Sequence, residues 1–296
     1  MWRCTGLSWK GGDPVWTWSH PRLGVRDSPL RLGEPLAMAV AAGEVRCCVG
    51  VWRAGRWTEC PHGAPLPPQT RRDQCEECAA LDRSQSVAAD TKAEDPRPYS
   101  VYLAYFGTGI RKVGITAAER GTVRLLEQAA ICFTFLGRGP LMAARRAESV
   151  LGAALGIPDR VSAAAKRNAR ACLPPAQVRA AELRAVYDAA SAVLDWRDTL
   201  ESVTYGAVDH AALFGLEPGP LRPTAVVTGL APGTALSGTL RAVAGSDLYV
   251  ATAEGTLILD AHLASGWPLS RPAPGPPSTP PTRPMPPPDT APQPLF

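Results

Sequence analysis

The fifty-seven residues from Tyr99 to Leu155, YSVYLAYFGTGIRKVGITAAERGTVRLLEQAAICFTFLGRGPLMAARRAESVLGAAL, carry the clearest periodicity in the chain. YSVYLAYFG (99–107) reads as a strand, with TG as its turn and IRKVGIT (110–116) as a second strand. AAERGTVRLLEQAA (117–130) reads as a helix, ICFTFLG (131–137) as a third strand, and 140–155 as a second helix that opens on Pro140, a favoured first-turn residue. A further helix is expected over 176–196, so the order is β-β-α-β-α-α.

Outward from this module the pattern changes. Residues 1–60 are Trp-rich, with short strands expected at 14–18, 35–40 and 45–52 and a hairpin turning at 53–56. Residues 61–98 lack periodicity and read as a loop followed by a linker. Glycine-punctuated strands return over 224–269, as a small β sheet or barrel of its own. The last 26 residues hold 12 prolines and almost nothing apolar, so disorder is expected there. The resulting expectation is an α+β protein in four segments: a β-rich Cys segment (1–98), the α/β module with its trailing helix (99–200), a small β-rich domain (201–270) and a Pro-rich tail (271–296).

The chain has 296 residues, enough for about two domains, and is 45% hydrophobic. No run of 18 apolar residues is present and the N-terminal residues lack the apolar stretch of a signal peptide, so a cytoplasmic protein with no membrane association is expected. The net charge is +4, and of 31 basic residues only Lys10, Lys92, Lys112 and Lys166 are lysines. Such an arginine bias reflects coding pressure as much as binding, so basic runs are weak signals and a lysine at one particular place is a stronger one.

Four of the eight cysteines fall between Cys48 and Cys78. Cys75 and Cys78 form a C-x-x-C pair that lets two sulfurs approach one ion. Cys48 and Cys60 close the proposed hairpin, which returns its ends to one place. Four thiolates would make a closed structural zinc site, with Cys47 and His62 as substitute ligands; adjacent residues of a strand face opposite sides, so only one of Cys47 and Cys48 should ligate.

In the central module, Glu148 falls on the helix stripe of Leu141, Ala144, Leu151 and Leu155, where a carboxylate needs a cation, a metal or hydrogen bonds. Arg120, Arg124 and Gln128 recur four apart on the preceding helix and should share a face. Tyr102 and Tyr105 lie on opposite faces of the first strand, and Lys112 precedes Val113-Gly114 on the second. A tyrosine, a lysine, an arginine and a glutamate in one place supply a base, positive charge and a metal anchor, a set suited to phosphodiester hydrolysis.

The order Tyr102, Lys112-Val113-Gly114-Ile115-Thr116, Arg120 and Glu148 resembles the GIY-YIG nuclease superfamily. The Cys-rich segment, K-V-G-I-T and the following Glu127-Gln128-Ala129 are similar to the bacterial family called domain of unknown function 2797, over about residues 45–265. The GIY-YIG resemblance implies that Tyr102 activates water, that Arg120 or Arg124 stabilises the developing charge, and that Glu148 holds one Mg²⁺ or Mn²⁺. Lys112 stands where many members have a second tyrosine, and Asn168 matches a usual asparagine only weakly. Two readings follow. The first is a metal-dependent endonuclease acting on DNA or RNA, with Tyr102, Lys112, an arginine and Glu148 converging in a cleft. The second is a non-catalytic zinc module that binds nucleic acid or a protein partner, with Glu148 held in an ion pair and Tyr102 buried.

Overall fold

The computed structural model describes residues 2–53, 56–83, 95–158, 160–193, 200–219, 221–272 and 279–286. The hairpin tip at 54–55, most of the expected linker (84–94), the end of the 176–196 helix (194–196) and tail residues 273–278 and 287–296 lie outside them. The fold is α+β, with strands outnumbering helices.

From the N-terminus, β1 (Arg3–Lys10), β2 (Asp13–His20) and β3 (Gly24–Pro29) form an antiparallel meander. β4 (Pro35–Val40) follows, then the hairpin β5 (Val51–Arg53) and β6 (Arg56–Thr58), and helix α1 (Glu76–Arg83). The central module begins with β7 (Tyr99–Gly107) and β8 (Ile110–Ala117), continues through α2 (Val123–Glu127), β9 (Cys132–Gly139), α3 (Leu141–Ala154), α4 (Ala163–Arg170) and α5 (Ala176–Val193), and ends with the short strands β10 (Glu201–Ser202) and β11 (Val208–Asp209). The C-terminal part comprises β12 (Pro223–Val227), β13 (Ala235–Ala244), β14 (Asp247–Thr252), β15 (Gly255–Asp260), α6 (Ala261–Ala264), β16 (Leu269–Ser270) and β17 (Thr282–Pro284).

Strand β7 is the middle of the central sheet, ordered β10-β9-β7-β8, with β11 also on β9. Every residue of β7 except Ser100 is buried, because both faces of the sheet are covered. Val101, Leu103 and Tyr105 join the main core with Leu141, Ala144, Ala147 and Leu151 of α3 and Leu183 and Val186 of α5. Tyr102, Ala104 and Phe106 form a smaller core on the other face with Leu125 and Phe133. The two tyrosines thus part to opposite faces, as period-two alternation requires.

Four expectations are corrected. The stretch 117–130 is not one helix: β8 runs on to Ala117, a 3₁₀ turn occupies Ala118–Arg120, and Gly121 at φ +48° breaks the path before α2. Glycine supplies that left-handed backbone without strain. Nor are the segments separate. The seven-stranded C-terminal sheet runs β16-β4-β13-β14-β15-β12-β17, so it takes β4 from the first segment, while β10 and β11, expected in the small β domain, join the central sheet. One main core extends from Cys4 to Trp267. The Pro-rich tail, in turn, contributes β17, which pairs antiparallel with β12 and covers a sheet edge. Finally, α4 forms over residues for which no element was expected, started by Ser162, whose hydroxyl accepts from Ala165 N at 3.1 Å.

A buried ion cluster joins the central module to the C-terminal sheet. Arg167 of α4 binds both oxygens of Asp247 through Nε, each at 3.1 Å, and also reaches Asp260 at 3.2 Å; Arg170 binds Asp247 as well. Asp247→Ala would leave Arg170 buried without a carboxylate and Arg167 with Asp260 alone, and should lower unfolding free energy by about 3–5 kcal/mol in denaturant titration, while a surface pair such as Arg184 with Asp188 should be worth less than about 1 kcal/mol.

Candidate functional site

Cys48, Cys60, Cys75 and Cys78 bring their sulfurs within 4.8 Å of one another. Cys48 precedes β5, Cys60 follows β6, Cys75 immediately precedes α1 and Cys78 lies in its first turn. A tetrahedron with Zn–S bonds of about 2.3 Å has S–S edges of about 3.8 Å, and Cys60 and Cys75 lie 3.9 Å apart. The four could therefore hold a metal such as zinc, and an all-thiol set is the donor chemistry zinc prefers.

The surroundings act on the sulfurs in opposite directions. Cys48 Sγ accepts from the backbone N–H of Gly50 at 3.4 Å and of Cys75 at 3.2 Å. Burial pushes Cys48 up to about 11, and desolvation likewise raises Cys78. Cys60 also feels desolvation, but the N–H groups of Ala64 and His62 and its thiol neighbours bring it down to about 7, so its thiolate forms most readily. Cys47 turns away, its Sγ near Val45 O, and His62 bonds Glu77 at 3.0 Å in solvent, so neither substitute joins the group.

Arg46, 1% exposed, fixes this region to α6. Its guanidinium donates to the carbonyls of Pro67, Thr70, His262 and Ser265 at 2.6–2.9 Å, satisfying four backbone acceptors at once. No pattern in the sequence marks it, since an arginine bound only by backbone carbonyls has no partner residue to covary in spacing or charge.

In the central sheet, Tyr102 lies opposite Gly114. A Cβ at Gly114 would stand 2.9 Å from Tyr102 Cε2 and closer still to Cζ and Oη, so the ring lies across the glycine. This accounts for the glycine of K-V-G-I-T by space alone. The Tyr102 hydroxyl accepts from Gln128 Nε2 at 2.7 Å, and the residue is 1% exposed. Burial raises its pKa, Glu148 raises it further, and Gln128 and Arg124 act against them. Glu148 and Arg124 are thus both within electrostatic reach of the hydroxyl.

The other candidates divide. Lys112 pairs across the strands with Ala104 and so shares the Tyr102 face. Arg120 leaves that group: it forms two bonds to Glu127, at 2.6 and 2.8 Å. Arg124 reaches Glu127 only at 3.5 Å. Of the two arginines the sequence leaves open, the one beside Tyr102 is Arg124. Glu148 is partly buried on α3 and engaged with neighbouring groups. Lys166, not anticipated as a site residue, donates to Gln128 O at 2.8 Å and lies 4.0 Å above the Phe106 ring. Asn168 is exposed on α4.

A family model described as "Protein of unknown function (DUF2797)" matches residues 33–269. The chain belongs to the DUF2797 family. The matched span holds the four cysteines, the central sheet, Lys166 and β4 to the first residue of β16, so the DUF2797 unit takes in most of the seven-stranded sheet and leaves out the N-terminal meander and β17. No curated protein and no solved structure is significantly similar to the chain. No described helix of this DUF2797 member is long and apolar enough to cross a membrane.

Two outcomes follow for this DUF2797 chain. Elemental analysis of the purified protein should give one zinc per chain, falling to near zero in Cys60→Ser with Cys75→Ser, and chelation should lower the melting temperature. Gly114→Ala should cost about 1–3 kcal/mol of stability by forcing the Tyr102 ring aside, and Gly114→Ala combined with Tyr102→Ala should recover part of that loss.

Proposed function

We propose that the protein is a zinc-organised module that binds nucleic acid through phosphate contacts, and that the Tyr102 site serves it as a charged pocket and not as a hydrolytic centre. The carrying observation is the state of Tyr102. A general base must present its oxygen to water, and this hydroxyl is buried, already bonded by Gln128 and held protonated by desolvation.

Around Glu148, that face is rich in positive charge. Lys166 experiences Arg170, Lys112 and Arg124 as like charges, so four cations from β8, α2 and α4 converge there. Asp247 and Glu127 offset part of this charge, and phosphate diesters are anions that the lysines and arginines gathered there recognise well. The cysteine site, closed by four sulfurs, would then hold zinc as a structural ion that fixes the hairpin and α1.

The second reading, a GIY-YIG-type endonuclease, is favoured by one fact: Arg124 and Glu148 both act on the Tyr102 hydroxyl. In it Glu148 would hold Mg²⁺ or Mn²⁺.

Fluorescence anisotropy with labelled single- and double-stranded DNA and RNA separates the two when run beside a nicking assay containing Mg²⁺ or Mn²⁺. The expected result is salt-dependent binding without cleavage, with Lys112→Gln and Arg124→Gln each reducing the salt slope by about one. Metal-dependent cleavage abolished by Glu148→Ala and by Tyr102→Phe would establish the endonuclease instead, and no binding to any of the four probes would refute the proposal.

A further inference from the structure

The end of α2, one side of α4, the β13–β14 turn and the start of α6 line a cleft of ≈ 220 Å³, with Arg71 at its rim. This is small beside the roughly 300–1,000 Å³ of pockets that enclose whole organic ligands. Lys166, Arg170, Arg71 and His262 line it, against the carboxylates of Glu127 and Asp247. The nearby carboxylates are already paired: Glu127 with Arg120 and Arg124, Asp247 with Arg167 and Arg170, and Asp260 with Arg167, His262 and the Arg71 Nε at 2.8 Å, which leaves the two terminal nitrogens of Arg71 for a further acceptor.

Lys166 is the cation left over. Among the described residues no carboxylate forms an ion pair with its ammonium, whose partners are a carbonyl and a ring face. An ammonium has three N–H donors, and these two contacts leave at least one for the cleft. Behind it, Arg170 lines the cleft at 3% exposure and its Nε is buried without a hydrogen-bond partner. Unsatisfied buried donors at a cleft wall are uncommon in folded chains and call for an acceptor. The backbone is also out of its ordinary range here: Ala129 takes φ +58°, costing about 1 kcal/mol, and Gly245 of the turn packs closely against it, so that an added Cβ would lie 2.9 Å from Glu127 O.

We propose that this cleft is a binding site for a single phosphate group, held by the Lys166 ammonium and the Arg71 guanidinium with Arg170 behind them. The proposal rests on the anion-binding reading of this face and goes beyond it in naming the subsite and its ligand class. The condition of Lys166 fits: desolvation first, and then Arg170 and Lys112, lower its pKa to about 8, and a bound anion would restore it. The phosphate could belong to a nucleic-acid backbone or be free in solution.

Calorimetric titration of inorganic phosphate into the full-length, zinc-loaded protein tests the site, repeated with Lys166→Gln and Arg71→Gln and with a short single-stranded oligonucleotide as competitor. Saturable binding is expected, weakened at least about tenfold by either substitution at unchanged zinc content. Competition by the oligonucleotide would identify a backbone phosphate. Saturable binding without competition would assign the cleft to free phosphate and would count against nucleic-acid binding while leaving the cleft site intact. Absence of saturable phosphate binding, or equal binding by both variants, overturns the inference. Should Lys166→Gln fail to fold, Arg71→Gln decides alone: that side chain is 55% exposed, and Asp260, which it meets at 2.8 Å, keeps Arg167 and His262 as partners.

Discussion

The ion cluster of Arg167, Arg170, Asp247 and Asp260 is the constraint on which the rest of the arrangement depends. It places α4 of the central module directly on the β13–β14 turn, and that placement fixes everything packed against the turn. Trp9 of the N-terminal meander donates to Gly245 O at 3.1 Å and meets Phe214 edge-on, while Glu127 and Ala129 close on Gly245 from the other side. Three sheets therefore meet around one glycine. Charge buried in this way adds little net stability, because the desolvation of each ion offsets most of its attraction; what it supplies is a unique fit, since any other docking would strand a guanidinium.

Local features were legible in the sequence, and long-range ones were not. The alternation in β7 and β8, the turn at 108–109 and the helix over 141–154 follow from periodicity alone, as does the C-x-x-C pair. Gly121 was the missed local signal: it falls inside the helix expected over 117–130, yet it ends one element and starts another, and that break sends Arg120 to Glu127 and leaves Arg124 at Tyr102. The pairings of β4 with β13 and of β17 with β12 join stretches with no local trace of each other. In β17 even Pro284 fits, for an edge strand does not need every N–H.

Within the site, the sequence identified the residue types better than their roles. Tyr102, Lys112, Arg124 and Glu148 do come from neighbouring elements, but the tyrosine is clasped by a glutamine rather than open to water. Gln128 is the link that sequence reading undervalued. Its side-chain amide donates to Tyr102 and its carbonyl accepts from Lys166, so a single residue couples the face of the sheet to the cleft beside it. The cysteine group is joined to the same neighbourhood by Arg46, which ties the 65–70 loop to α6, the helix that also carries His262 into the cleft.

The pairing of β4 with β13 sets Ala39 beside Ala235. Nearly the whole chain must be made before that ladder can close, so on the ribosome β4 emerges early and waits with both edges unpaired while the cysteine loop and the central module form. A sheet that closes over so long a loop has high contact order, and its assembly is slow in proportion. Metal captured by the intervening cysteines would shorten the effective loop, holding residues 48–78 compact while the distant strand arrives. Zinc would then act on the order of assembly as well as on the finished fold.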